Sequence, residues 1–361
     1  MIKKNVFIGP LPPPIGGVAV INESIQNIKL EGYETVSFNT SSDDKRENLY
    51  SGIKLKSFKR NLSLKKKLIN FIEIENPAVV NIFITSGLSI LRDIIFLRTL
   101  GKYNVPIVIH FHSKISGEFA LVPWRLKLVA NFFNKYATKI ILLSDYHLRF
   151  FSNFFNKQKC FVLENFVKYD DFKNEISNKD NAFLYVGRLS KEKGFFDLIE
   201  AVRILSLKEV DFKIKVIGLA PTNEIEQEIK MIIDKYKLNE YFDFCGAVFG
   251  KEKYNLFKKT FCLIFPSQFE NSPVVIKEAI AAKMAILASN IQANKNILEN
   301  HNNHLYFESK NSIGLAEVIE KTLTNHQLVL EMCENSEKVI EYDIEIVKQK
   351  LTILYDELTS N

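Results

Sequence analysis

Short apolar runs alternate with helix-like stretches along this chain, twice over, and no other feature limits the fold as much. The runs Lys4 to Gly9, Glu34 to Asn39, Ala78 to Ile84, Pro106 to Ile109, Lys139 to Leu143 and Cys160 to Leu163 are separated by segments of helical periodicity. Strands joined through helices cannot pair as tight hairpins. They form a parallel sheet covered on both faces. A polar run, Tyr169 to Asn181, interrupts the pattern and reads as a linker. The alternation restarts with Ala182 to Val186 and continues through Lys213 to Ile217, Phe242 to Cys245, Cys262 to Phe265 and Ala285 to Ala288. At 361 residues the chain exceeds what one core usually serves, so the expectation is two α/β domains.

Sheets of this kind gather ligands beyond the carboxyl ends of their strands, which makes the loops after each run the places to search. The first loop, Gly9-Pro10-Leu11-Pro12-Pro13-Pro14-Ile15-Gly16-Gly17, is stiff and ends in adjacent glycines that let a backbone approach a ligand. It is not the dinucleotide fingerprint, because Gly-x-Gly-x-x-Gly is absent. His110 and His112 stand just after another run, Pro106 to Ile109, at the edge where ligands gather. After the restart, Gly187 to Gly194 projects Arg188 and Lys193, a fork and a point charge suited to a diphosphate.

Then comes Phe265-Pro266-Ser267-Gln268-Phe269-Glu270-Asn271-Ser272-Pro273, with Pro273 marking the first turn of a helix. The unpaired N–H groups and positive dipole end of such a helix attract phosphate. Glu270 and Glu278, separated by seven residues, flank that terminus. Two carboxylates there would repel a phosphate unless they face hydroxyls. A nucleotide sugar supplies both, with its diphosphate held between a ribose and a hexose.

Glu270, seven residues and Glu278, with Pro273 third after the first Glu and an Ala-rich continuation, resembles the signature of the retaining glycosyltransferases of family 4. Gly187-Arg188-Leu189, a spacer and Lys193-Gly194 are similar to a second motif of that family, and the order of parts extends the resemblance over essentially the whole chain. It implies the GT-B fold: an α/β protein of two Rossmann-like domains facing across a cleft, with a C-terminal helix crossing back to the first. The implied divisions are 1–168 for an acceptor-binding domain, 181–340 for a nucleotide-sugar-binding domain and 341–361 for the closing helix. By the same resemblance Gly16, Gly17, Arg188, Lys193, Ser272, Val274 and Glu278 bind the donor, and His112, Glu270, Arg188 and Lys193 form the catalytic set. Arg188 and Lys193 would hold the diphosphate, Glu278 the ribose and Glu270 the hexose, with His112 beside the sugar. Asn271 and Ser272 depart from the family pattern, standing where glycine is common, and Ser289 to Ala293 lacks the usual glycines and acidic residue.

Composition narrows the rest. Hydrophobic content of 47% and charged content of 25% describe an ordinary globular chain. Cys160, Cys245, Cys262 and Cys333 are scattered, without metal-ligand spacing, and fit free thiols in a reducing compartment. No Asp-x-Asp pair accompanies the motifs, so no metal is expected, and no cofactor beyond the nucleotide-sugar donor, with UDP favoured over GDP. The apolar start is too short for a signal peptide, and Arg92, Asp93 and Arg98 interrupt the region most like a membrane span. The expected location is cytoplasmic, with peripheral attachment to the inner face of the plasma membrane left open.

Lys54, Lys56, Lys59, Arg60, Lys65, Lys66 and Lys67, interleaved with Leu55, Phe58, Leu62 and Leu64, suit an anionic membrane surface, and equally a solvated helix start. A net charge of +6 without a recognition signature gives no reason to expect nucleic acid. The expected acceptor is a lipid-linked oligosaccharide of surface-polysaccharide assembly, of lipopolysaccharide, O-antigen or capsule type. Two other readings stay open at this stage: a nucleotide-sugar epimerase of the same architecture, and a non-catalytic membrane-associated subunit.

Overall fold

The computed structural model describes residues 2–12, 17–41, 55–84, 89–112, 123–173, 180–208, 210–336 and 342–360. Gly16 and Lys54 lie outside them, as do residues 174–179 of the expected linker. In chain order the elements are β1 (Lys3–Gly9), α1 (Gly17–Gln26), β2 (Tyr33–Asn39), α2 (Leu55–Glu75), β3 (Val79–Ile84), α3 (Ser89–Leu100), β4 (Ile107–Phe111), α4 (Pro123–Tyr136), β5 (Lys139–Leu142), α5 (Asp145–Phe151), β6 (Cys160–Val162) and α6 (Tyr169–Phe172). They continue as β7 (Asp180–Val186), α7 (Phe195–Ser206), β8 (Ile214–Ile217), α8 (Asn223–Lys235), β9 (Phe242–Gly246), α9 (Gly250–Lys259), β10 (Thr260–Phe265), α10 (Val274–Ala281), β11 (Ala285–Ser289), α11 (Gln292–Leu298), β12 (His304–Phe307), α12 (Ser312–Thr324), α13 (His326–Glu334) and α14 (Ile344–Thr359).

These elements form two compact units, one of Met1–Asn165 with Glu345–Asn361 and one of Phe166–Ile344. Each holds a parallel sheet, ordered β2-β1-β3-β4-β5-β6 in the first and β12-β11-β10-β7-β8-β9 in the second. Central strands read as unbroken apolar runs because helices cover both of their faces. Every residue of β3, β4, β10 and β11 is buried, whereas edge strand β2 exposes part of its length.

Asn81 is the exception in the middle of β3, and a buried amide must find partners. Its Nδ2 donates to Asn5 Oδ1 on β1 at 2.6 Å, and its Oδ1 accepts from His110 Nε2 on β4 at 3.0 Å and from the Tyr355 hydroxyl on α14 at 2.8 Å. Burial, with some repulsion from His112, holds the His110 imidazole well below its usual range, so the ring is neutral and donates. The closing helix is thus fastened to the sheet of the first unit by a polar anchor, with Val347, Leu351 and Leu354 buried beside it.

The structure corrects two expectations. The stretch from Tyr169 does not begin a linker: α6 buries Phe172 against Tyr254 and Phe257, with ring centroids 4.7 and 5.4 Å apart. The second unit also starts earlier than residue 181, because the Val167 amide donates to Tyr342 O at 2.9 Å and Val167 O accepts from the Ile344 amide at 3.0 Å. In addition α11, β12 and α13 follow the last strand that the apolar pattern marked.

The anchor gives a stability prediction. Tyr355→Phe removes one buried hydrogen bond and should lower unfolding free energy by about 1–2 kcal/mol. Ile353→Ala, at an exposed position on the same helix, should change it by no more than about 0.5 kcal/mol. Urea titrations of the two variants make the comparison, and equal effects would contradict the anchor.

Candidate functional site

In the second unit the chain runs from β7 outward through β8 and β9, then returns to lay β10 on the other side of β7. The connections after β7 and β10 therefore leave in opposite directions and open a crevice at the carboxyl ends of the two strands, where parallel sheets bind ligands. Residues 187–194 follow β7 and residues 266–273 follow β10. Arg188, Lys193, Glu270 and Ser272 all lie on these two loops, with Val274 and Glu278 on the helix that comes next.

Local chemistry shapes both loops. Tyr185, fully buried at the end of β7, donates its hydroxyl to Arg188 O at 2.8 Å and reaches Lys193 O at 3.3 Å. Burial, reinforced by the Glu270 charge and opposed by Arg188, raises that phenol well above its ordinary value and keeps it a donor. Gly194 has φ +68°, and a Cβ there would stand 2.0 Å from Pro266 O. Glycine is required twice over, by conformation and by space. Next to it the Gln268 amide donates to Glu192 O at 2.9 Å, and Gln268 Nε2 to Asp197 Oδ2 at 2.7 Å. The two loops are one knitted surface.

On that surface each motif carboxylate has its own lysine. Lys193 Nζ lies 2.5 Å from Glu270 Oε1, and Lys253 Nζ of α9 lies 2.6 Å from Glu278 Oε1. The Glu278 side chain is only 8% exposed, and its second oxygen, Oε2, is buried with no hydrogen-bond partner among the described residues. Arg188 is held far more loosely, 3.8 Å from Glu192, with both side chains more than half exposed. Helix α10 has Pro273 at its N-cap and no side-chain cap, so its first-turn N–H groups are offered to whatever enters. Behind them Lys277 is buried, its ammonium 3.3 Å from Ser272 Oγ and 3.7 Å from the centroid of the Tyr342 ring.

The remaining sequence candidates belong to the first unit. Gly17 opens α1. His112 follows β4, donates its amide to Ile84 O at 3.1 Å and stacks on Phe83 with centroids 5.4 Å apart. Burial, helped by repulsion from His147, pushes its imidazole down to about 3, so it is neutral at physiological pH. Tyr185 and Lys253 escaped the sequence reading. Tyr185 looked like one more apolar strand residue, and Lys253 stands among Lys251, Lys258 and Lys259 with nothing to single it out.

Residues 167–339 match the family model of glycosyl transferases group 1. That match lies within the second unit, and the two-unit fold is GT-B. The chain is 26% identical over 242 residues to an uncharacterized glycosyltransferase of Methanocaldococcus jannaschii, covering 66% of this chain and 64% of that protein. It thus spans less than two-thirds of that relative's length. A processive diacylglycerol alpha-glucosyltransferase of Acholeplasma laidlawii is 26% identical over 281 residues, 71% of this chain and 80% of its own. Among solved structures, Anabaena HepE in complex with UDP-glucose superposes with a TM-score of 0.78 at 16% identity, over 98% of this chain and 100% of that one.

The close approach at Gly194 predicts a contrast. Gly246 has φ +71°, with open space where a Cβ would be, so Gly246→Ala should cost about 1 kcal/mol, the left-handed penalty alone. Gly194→Ala must also displace the Pro266 backbone and should cost at least about twice as much. Denaturation of both variants measures the difference, and equal losses would contradict the contact.

Proposed function

We propose that this chain is a retaining, metal-independent glycosyltransferase that moves a hexose or N-acetylhexosamine from a nucleotide-sugar donor to a lipid-linked saccharide acceptor. The observation that carries the reading is the meeting, at one crevice of the second unit, of Arg188, Lys193 and the uncapped start of α10 with Glu270 and Glu278. Cations and helix N–H groups match a diphosphate, and the flanking carboxylates match sugar hydroxyls on either side. The group 1 domain and the UDP-glucose held by Anabaena HepE support a nucleotide-sugar donor.

As the glycosidic bond breaks, negative charge grows on the leaving diphosphate. Groups already aimed at that charge lower the barrier without reorganising. Arg188 and Lys193 serve this purpose in the proposal, with Ser272 and Val274 at the helix start. Glu278 accepts from the ribose and Glu270 from the hexose. Glu270 is bound to Lys193 and is therefore not a free nucleophile, which favours attack by the acceptor on the face that the leaving group vacates. His112, neutral at physiological pH, contributes hydrogen bonding rather than general-base strength. That also counts against the epimerase alternative, which needs a proton-transferring acid and base and had only His112 to offer.

A lipid-linked acceptor and assembly of surface polysaccharide are part of the proposal, in line with the diacylglycerol acceptor in the name of the Acholeplasma relative. Helix α2, where Leu62, Lys66 and Lys67 are exposed, is the surface assigned to anionic membrane. No helix among the described residues is long and apolar enough to cross a membrane.

Incubating the purified chain with radiolabelled UDP- and GDP-sugars and lipid-linked acceptors, followed by NMR of the product's anomeric proton, tests the reading. The expected product keeps the donor's configuration. Lys193→Met or Arg188→Met should lower transfer about 100-fold or more. An epimerised donor, or binding of donor with no turnover on any acceptor, contradicts the reading.

A further inference from the structure

Lys253 is a cation of this crevice that belongs to neither motif loop. It reaches Glu278 from α9, with its side chain 20% exposed and its ammonium 5.6 Å from the centroid of the Phe257 ring. A carboxylate as covered as Glu278, standing next to a site for an anionic diphosphate, would be costly to bury and would repel the ligand if it had no counter-charge. Its two oxygens are not equivalent: Oε1 holds the lysine at 2.6 Å, while Oε2 is covered and has no partner among the described residues.

We propose that Lys253 is a positioning residue for the donor's ribose. It occupies one oxygen of Glu278, cancels the carboxylate's charge toward the diphosphate, and leaves Oε2 as the acceptor for a ribose hydroxyl. The inference rests on the nucleotide-sugar reading of the site and adds a residue outside the two motifs on which that reading stands. It also gives the orphaned Oε2 a purpose, since a buried acceptor without a partner loses free energy until a donor arrives. A ribose hydroxyl supplies that donor, and the hydrogen bond forms to a charged group in a covered site.

Calorimetric titration with UDP, GDP and their 2′,3′-dideoxy counterparts tests this on wild type, Lys253→Met and Lys253→Arg. Wild type should bind its preferred diphosphate about tenfold more tightly than the dideoxy form, the worth of a hydrogen bond to a charged group. Lys253→Met should lose that discrimination and bind both forms weakly. Lys253→Arg should restore it, and because this variant keeps the buried charge pair it separates a binding defect from a folding defect. Ribose discrimination that survives in Lys253→Met, or is absent from wild type that does bind the diphosphate, overturns the role given to Lys253. Failure of wild type to bind either diphosphate overturns the donor reading, and this inference with it.

Discussion

The ion pair between Lys193 and Glu270 joins two loops that are 77 residues apart in sequence, and the geometry of the candidate site depends on that junction. The pair is possible because Gly194 has no side chain, so the start of α7 can lie against Pro266. Tyr185 fixes the first loop from below, and the Gln268 and Glu192 backbones stitch the two together. A parallel sheet alone would supply the crevice. These contacts place opposite charges inside it at hydrogen-bonding range.

The arrangement has a chemical consequence. Each motif carboxylate is neutralised by its own lysine, so neither is a bare buried charge. A diphosphate entering at α10 would compete with Glu270 for Lys193, and Arg188, half exposed and weakly tethered to Glu192, could join it. Glu278 differs, since Lys253 can stay on Oε1 while Oε2 takes a new donor. In the proposed reaction one acid is thus released toward sugar by the arrival of phosphate, and the other is already set.

Much of this was legible in the sequence, for identifiable reasons. Strands buried on both faces write themselves as unbroken apolar runs, so β3, β4, β10 and β11 stood out. Proline and glycine marked where those strands give way to the loops that carry Arg188, Lys193, Glu270 and Glu278. What stayed hidden depends on tertiary contact. Asn81 in the middle of β3 gave no hint that Tyr355 would reach it, and the Tyr185 hydroxyl was invisible in an apolar run. Short polar elements such as α11 carry too few apolar residues for periodicity to register. Lys253 is a lysine on a lysine-rich helix, and only the fold brings it to Glu278. The supposed linker misled because α6 buries one large residue, Phe172, among charged neighbours.

The most direct measurement is a crystal structure of the chain with a bound nucleoside diphosphate. The account predicts the diphosphate at the first turn of α10, within hydrogen-bonding distance of Arg188 and Lys193, with a ribose hydroxyl on Glu278 Oε2. A diphosphate seated away from those residues, with Glu278 Oε2 still unpartnered, would contradict it.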